Sequence, residues 1–191
     1  MAHEGHDHHH HDDHHHHDDH HHHHDDPVHE HRATAPASVS AWVVTCSDTR
    51  DASTDGGGPL VRQLLEHAGH TVAGASLVKD DATEIRRAME QASAAGARAI
   101  VLTGGTGLSS RDVTVETVTP MFQRTIDGFG ELFRMLSFQQ IGAAAMASRA
   151  VAGVWNGVVV FVLPGSVAGV TLAMQRLVLP ELGHLVREVS R

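Results

Sequence analysis

The chain has 191 residues, a formal net charge of -9 at pH 7, 41% hydrophobic and 4% aromatic residues, and one cysteine. A single cysteine excludes an internal disulfide framework, no apolar run approaches the ~18 residues of a membrane span, and no hydrophobic signal core stands near the amino terminus. The expectation is a cytoplasmic protein without a membrane partner.

The charge is unevenly spread. Residues 1–31 hold 17 of the 20 histidines and 9 of the 23 acids, with almost no apolar side chains. Such a segment cannot bury enough surface to offset the entropy of ordering, so residues 1–37 read as a disordered tail and linker and residues 38–191 as the folded domain. From Arg32 onward 14 basic and 14 acidic residues balance, and no basic cluster suggests nucleic acid.

In the tail, His8, His9, His10, His11, His14, His15, His16, His17, His20, His21, His22, His23 and His24 alternate in blocks with Asp-Asp pairs. Imidazoles with a reference pKa of about 6.5 are mostly neutral near pH 7 and ligate nickel, zinc or copper. A run of overlapping sites suits metal buffering or delivery better than catalysis, which needs one fixed geometry.

After the linker, Ser38 to Thr45 reads as a strand ending at Cys46-Ser47-Asp48. The glycine-rich loop 51–59 leads to a helix over Leu60 to Ala68, stopped by Gly69. His70 to Val78 is a second strand, and Lys79-Asp80-Asp81 enters a helix with Ile85, Ala88, Met89 and Ala92 on one face. Asp80 and Asp81 compete here for a helix-capping role, and Asp81 with Glu84 has capping-box spacing.

Arg98 to Leu102 is the third strand, apolar enough to be buried on both faces of a parallel sheet. The β-α-β-α-β order predicts an α/β fold with right-handed crossovers. Asp48, Asp80 and Asp112 follow these strands at intervals of 32 residues, so three carboxylates meet at one sheet edge, where open α/β sheets place their ligands.

That edge also carries Thr103-Gly104-Gly105-Thr106-Gly107, whose glycines let backbone N–H groups approach a phosphate while the threonines add donors. It is neither a dinucleotide fingerprint, since the third glycine position falls on Ser110, nor a Walker loop, since no lysine lies nearby. Cys46 reads as a small buried hydrophobe, and His67 and His70 as surface or strand-edge residues.

Downstream, Asp112 to Pro120 predicts a short helix, Gly128 to Glu131 a turn, and Leu132 to Ser148 an amphipathic stretch. Ser148 to Val154 and Gly157 to Leu163 pair as strands, the second central. Ser166 is placed to cap a final helix that Pro180 kinks or divides. Pro164-Gly165-Ser166 is not a nucleophile elbow, because Ser166 follows Gly165 directly.

TGGTG with Asp112 and Glu116, Gly128 to Arg134, Ser148 to Gly153, Leu163 to Ser166, Ser47-Asp48 and the Leu77 to Asp80 strand end together resemble the MoaB/MogA family of molybdenum cofactor biosynthesis. The likeness spans Val39 to Arg191, favours the MoaB-like branch, and leaves the tail outside. It implies a three-layer α/β/α fold with a mostly parallel sheet, a homotrimer or higher homo-oligomer, and Mg-ATP-dependent adenylylation of molybdopterin with release of pyrophosphate. It further implies Asp80 and Asp112 as the catalytic, magnesium-binding pair. Thr103, Gly104, Gly105, Thr106, Gly107, Ser148, Pro164, Gly165 and Ser166 would hold pterin and phosphates, and Ser47 and Asp48 would border the nucleotide. The alternative from another class is a non-catalytic trimer that binds molybdopterin or carries metal on the tail.

Overall fold

A computed structural model describes residue 1, residues 36–48 and residues 55–191. The tail histidines and part of the loop before the first helix lie outside the described residues.

Six strands form one sheet in the order β2-β1-β3-β6-β5-β4. They are β1 (Ser40–Cys46), β2 (Thr71–Val78), β3 (Ala99–Thr103), β4 (Arg124–Thr125), β5 (Val151–Trp155) and β6 (Val158–Leu163). The pairs β1–β2, β1–β3 and β3–β6 are parallel, while β5–β6 and β4–β5 are antiparallel.

The helices are α1 (Gly57–His67), α2 (Ala82–Ala94), α3 (Thr114–Val118), α4 (Asp127–Ile141), α5 (Val167–Ala173) and α6 (Leu179–Val189). Their apolar stripes cover both faces of the sheet, so β3 and β6 are buried along their whole length. Because strand side chains alternate, odd positions of β1, β3 and β6 go to one layer and even positions to the other. Val43, Val101 and Phe161 pack with Val61 and Leu65 of α1, Phe129 of α4, Val170 of α5 and Leu182 of α6. Val44, Ile100, Leu102, Val160 and Val162 pack with Ile85 and Met89 of α2 and Val118 of α3. The expected three-layer α/β fold with a mostly parallel sheet is the one observed.

The elements depart from the sequence reading in four places. Gly128 to Glu131 form no turn; they lie in the first turns of α4, which runs on to Ile141. Gly130 permits this approach, since a Cβ there would stand 2.8 Å from the Ala150 carbonyl oxygen. Gly142–Ala147 is a 3-10 segment rather than more α-helix. The two-residue β4 was not expected; it pairs with Gly153 and Val154 of β5. The last helix is divided ahead of Pro180, by a π-helical stretch over Met174–Val178, with the proline at the start of α6 where its missing N–H costs least.

Candidate functional site

The first crossover, through α1, covers one face of the sheet, and the second, through α2, covers the other. The chain thus reverses direction between β1 and β3, and an open sheet leaves a crevice at such a point, beyond the carboxyl ends of its strands. A cleft of about 270 Å³ opens there. Its lining comes from the ends of four parallel strands: Cys46, Ser47 and Asp48 after β1, Asp80 after β2, Gly104 to Gly107 after β3, and Gly165 after β6. Ser109, Arg111 and Asp112 complete it from the loop before α3.

The competition between Asp80 and Asp81 is resolved by the backbone. Asp81 caps α2, its carboxylate accepting the N–H groups of Thr83 (2.9 Å) and Glu84 (3.0 Å). Asp80 is left to face the cleft, where Oδ1 accepts the Thr114 hydroxyl at 3.3 Å and the Asp80 N–H donates to Asp48 Oδ1 at 3.1 Å. Asp112 does not cap α3 either; its Oδ2 accepts the Ser109 N–H at 3.2 Å.

Two glycines make room for these carboxylates. A Cβ on Gly105 would stand 2.0 Å from Asp80 Oδ1 and 2.1 Å from Thr114 Oγ1, and one on Gly107 would stand 2.9 Å from Asp112 Oδ2. Gly104 and Gly105 hold φ of 97° and 61°, a region that side chains avoid. The loop is therefore shaped by its glycines and pressed against two acids.

Electrostatics mark the site. The Asp80 carboxyl is raised above the usual carboxylate range, first by partial burial and then by the charges of Asp48 and Asp112, against the opposing hydrogen bond from Thr114. Burial also pushes the Cys46 thiol up to about 12, so this cysteine is an inert wall, as its apolar setting predicts. Among the described residues no three His, Cys, Asp or Glu side chains stand close enough to hold a metal by themselves. The two carboxylates beside Gly105 and Gly107 fit a magnesium ion, which takes one or two carboxylates and draws its other ligands from water and substrate phosphates.

A second cavity of about 300 Å³ adjoins the first through Thr106 and Gly107. Ser148, Pro164 and Ser166 line it, together with Phe133, Ile141 and Leu172. Ser166 Oγ also caps α5 by accepting the Gly169 N–H at 3.1 Å. Ser148 Oγ is buried without a hydrogen-bond partner among the described residues. Thr103 is set apart from the other candidates: it is buried, and its hydroxyl donates to the Pro164 carbonyl at 3.0 Å, joining the two loops from below.

Sequence reasoning missed Thr114, Ser109, Arg111 and Arg149. The first three belong to the loop and helix around Asp112, and only their nearness to that acid could have signalled them. Arg149 Nε donates to the Thr106 carbonyl at 3.0 Å, and its guanidinium forms an ion pair with Glu116, contacts made across 43 and 33 residues of sequence.

A glycine-shaped loop beside three acids at the switch point of a doubly wound sheet has the layout of an α/β protein with its ligand crevice at the strand ends. Comparison makes this particular. Residues 42–184 match the family described as the probable molybdopterin binding domain. Molybdenum cofactor biosynthesis protein B of Halalkalibacterium halodurans is 47% identical over 166 residues, covering 86% of this chain and 98% of that protein. A crystal structure of a molybdenum cofactor biosynthesis protein B superposes with a TM-score of 0.79 at 45% identity, covering 82% of this chain and 99% of the other. The tungsten cofactor synthesizing protein MoaB from Pyrococcus furiosus superposes at 0.76 with 34% identity, covering 82% of this chain and 100% of the other. The chain belongs to the MoaB/MogA family of molybdenum cofactor biosynthesis proteins.

Proposed function

We propose that this chain acts in molybdenum cofactor biosynthesis as a molybdopterin adenylyltransferase. The observation that carries the reading is the placement of Asp80 and Asp112 against the glycines of the TGGTG loop, an arrangement that costs charge repulsion unless a cationic ligand uses it.

The terminal phosphate of molybdopterin is already an anionic nucleophile near neutral pH, so the site needs no strong general base. An oxygen of that phosphate attacks the α-phosphorus of ATP, a P–O–P bond forms, and the bond to the β-phosphate breaks to release pyrophosphate. Catalysis then rests on alignment and on neutralising charge. Asp80 and Asp112 would hold magnesium, which supplies Lewis-acid neutralisation of the phosphates. The backbone of Gly104 to Gly107, with Ser47, Asp48 and Gly165, binds the nucleotide side, and the cavity of Ser148, Pro164 and Ser166 takes the pterin. Arg111 lies beside Asp112 as a cation for the triphosphate.

The apolar face of α4, with Leu132, Met135, Phe138 and Ile141 between 46% and 62% exposed, supports self-association, for which the family resemblance suggests a homotrimer. The histidine composition of residues 1–31 supports binding of nickel, zinc or copper as a second activity of the chain.

The test is pyrophosphate release and adenylyl-molybdopterin formation by the tail-deleted protein with molybdopterin and Mg-ATP. Asp112→Ala should lower turnover by about 10²-fold or more, the loss typical of removing one preorganised electrostatic group, while keeping the fold. Pterin binding without turnover in the unmutated chain would make it a carrier instead.

A further inference from the structure

Arg149 does not line the main cleft, yet it is tied to three parts of its wall. Its side chain is 24% exposed and four of its N–H groups are in use. Nε donates to the Thr106 carbonyl at 3.0 Å, and Nη2 to the Gly107 carbonyl and, at 3.3 Å, to the Asp112 carbonyl. Nη1 donates to Glu116 on α3, whose carboxyl Arg149 holds below its usual range. One guanidinium thus joins the end of the TGGTG loop, the backbone of Asp112 and the following helix.

The peptides of this loop are trans, as are all among the described residues, and a planar trans peptide points its N–H opposite to its C=O. Holding the Thr106 and Gly107 carbonyls therefore turns the N–H groups of Gly107 and Leu108 away from Arg149. Neither of these donors has a partner among the described residues. Gly107 lines both cavities, so its donor lies where they meet.

Other bonds hold the loop as well, the Gly104 N–H donating to the Leu163 carbonyl of β6 at 3.2 Å. The Asp112 N–H donates to the Ser109 carbonyl at 3.0 Å and the Thr114 N–H to the Gly105 carbonyl at 3.1 Å. These two join points within the loop and its helix; Gly104 anchors the loop's first residues to β6, and Arg149 ties its far end to the start of β5.

We propose that Arg149 is the positioning residue of the phosphate loop: by pinning the carbonyls of Thr106, Gly107 and Asp112 it presets both the loop's free N–H groups and the Asp112 carboxylate for a nucleotide polyphosphate. The assignment rests on the adenylyltransferase reading for its ligand, and on the hydrogen bonds alone for its geometry. Lysine cannot replace it, because a single ammonium lacks the planar fork that reaches several acceptors at once.

The experiment uses the full chain, at a temperature where every variant is folded. Amide exchange of Asp112 and Thr114, Mg-ATP affinity by calorimetry, and kcat and KM for adenylylation are measured for the unmutated protein, Arg149→Lys and Glu116→Gln. Arg149→Lys should speed exchange at Asp112 and Thr114 while amides of β3 and β6 keep their protection. It should also weaken Mg-ATP about tenfold, equivalent to ~1.4 kcal/mol, and lower kcat further. Glu116→Gln keeps the three carbonyl bonds and should change affinity less than about threefold, since exposed ion pairs contribute little.

Unchanged loop exchange in Arg149→Lys, or unaltered Mg-ATP affinity despite faster exchange, would overturn the proposal. So would equal damage from Glu116→Gln, which would make the ion pair, not the carbonyl clamp, the active feature. A chain that binds Mg-ATP and shows the Arg149 effects but never forms adenylyl-molybdopterin would refute the transferase reading and leave the clamp standing.

Discussion

Asp80, the proposed magnesium ligand, works against the fold when ionised. Its folded carboxyl is raised, so the native state holds a proton more tightly than the unfolded chain does. That contribution to stability is fully present below the unfolded pKa and is lost as pH rises through the folded one. At neutral pH the ionised side chain is a net burden. Without magnesium and nucleotide, Asp80→Asn should therefore melt at or above the unmutated midpoint at pH 7, the difference closing as pH falls through the raised pKa, while adenylylation is lost. A lower midpoint at pH 7 in a pH series of thermal scans would show that the carboxylate supports the fold instead. Cys46 beneath it remains protonated across the same range.

Among elements, the loop between β3 and α3 separates two uses of glycine. Gly105→Ala meets both a positive φ of 61° and the Asp80 and Thr114 oxygens, whereas Gly96→Ala meets a positive φ of 80° with nothing within 4 Å. Gly96→Ala should lose about 1–2 kcal/mol from the left-handed backbone in urea unfolding and Gly105→Ala more, since its Cβ also displaces two oxygens; only Gly105→Ala should abolish Mg-ATP binding by calorimetry. The sequence made much of this layout legible. β3 and β6 are continuous apolar runs, and burial on both faces leaves that pattern little other meaning. The three aspartates were legible because a βαβ unit has a characteristic length. The start of α4 was hidden because glycine serves turns and close packing alike: Gly130 sits against Ala150, and only the packed structure reveals which use applies. β4 carries no signal of its own, being defined by bonds such as Ile126 N–H to the Ala152 carbonyl at 2.8 Å. Arg149 was hidden for the same reason, since its partners become neighbours only when β5 joins the sheet.

At the scale of the molecule, the apolar face of α4 and the histidine tail set separate expectations. Phe138→Glu places a charge at a position 62% exposed, so a folded monomer is the expected sedimenting species if that face joins copies of the chain. An unchanged sedimentation coefficient would remove α4 from the interface. Calorimetry with nickel and zinc should show binding to the full chain that vanishes on deleting residues 1–31; equal affinity in both would discard the tail as the metal site. The sheet itself adds an optical property. The chain has two tryptophans and no tyrosine. Trp42, lying over Gly74, and Trp155 are 7% and 8% exposed, and both belong to the layer that packs on α2 and α3. Intrinsic emission therefore reports on a single layer of the fold, the one holding Asp80 and Asp112 at its rim. A red shift during unfolding dates the loss of that layer, while loosening of the α1, α4 and α6 side stays dark, so fluorescence and circular dichroism together can time the two layers independently without any added label.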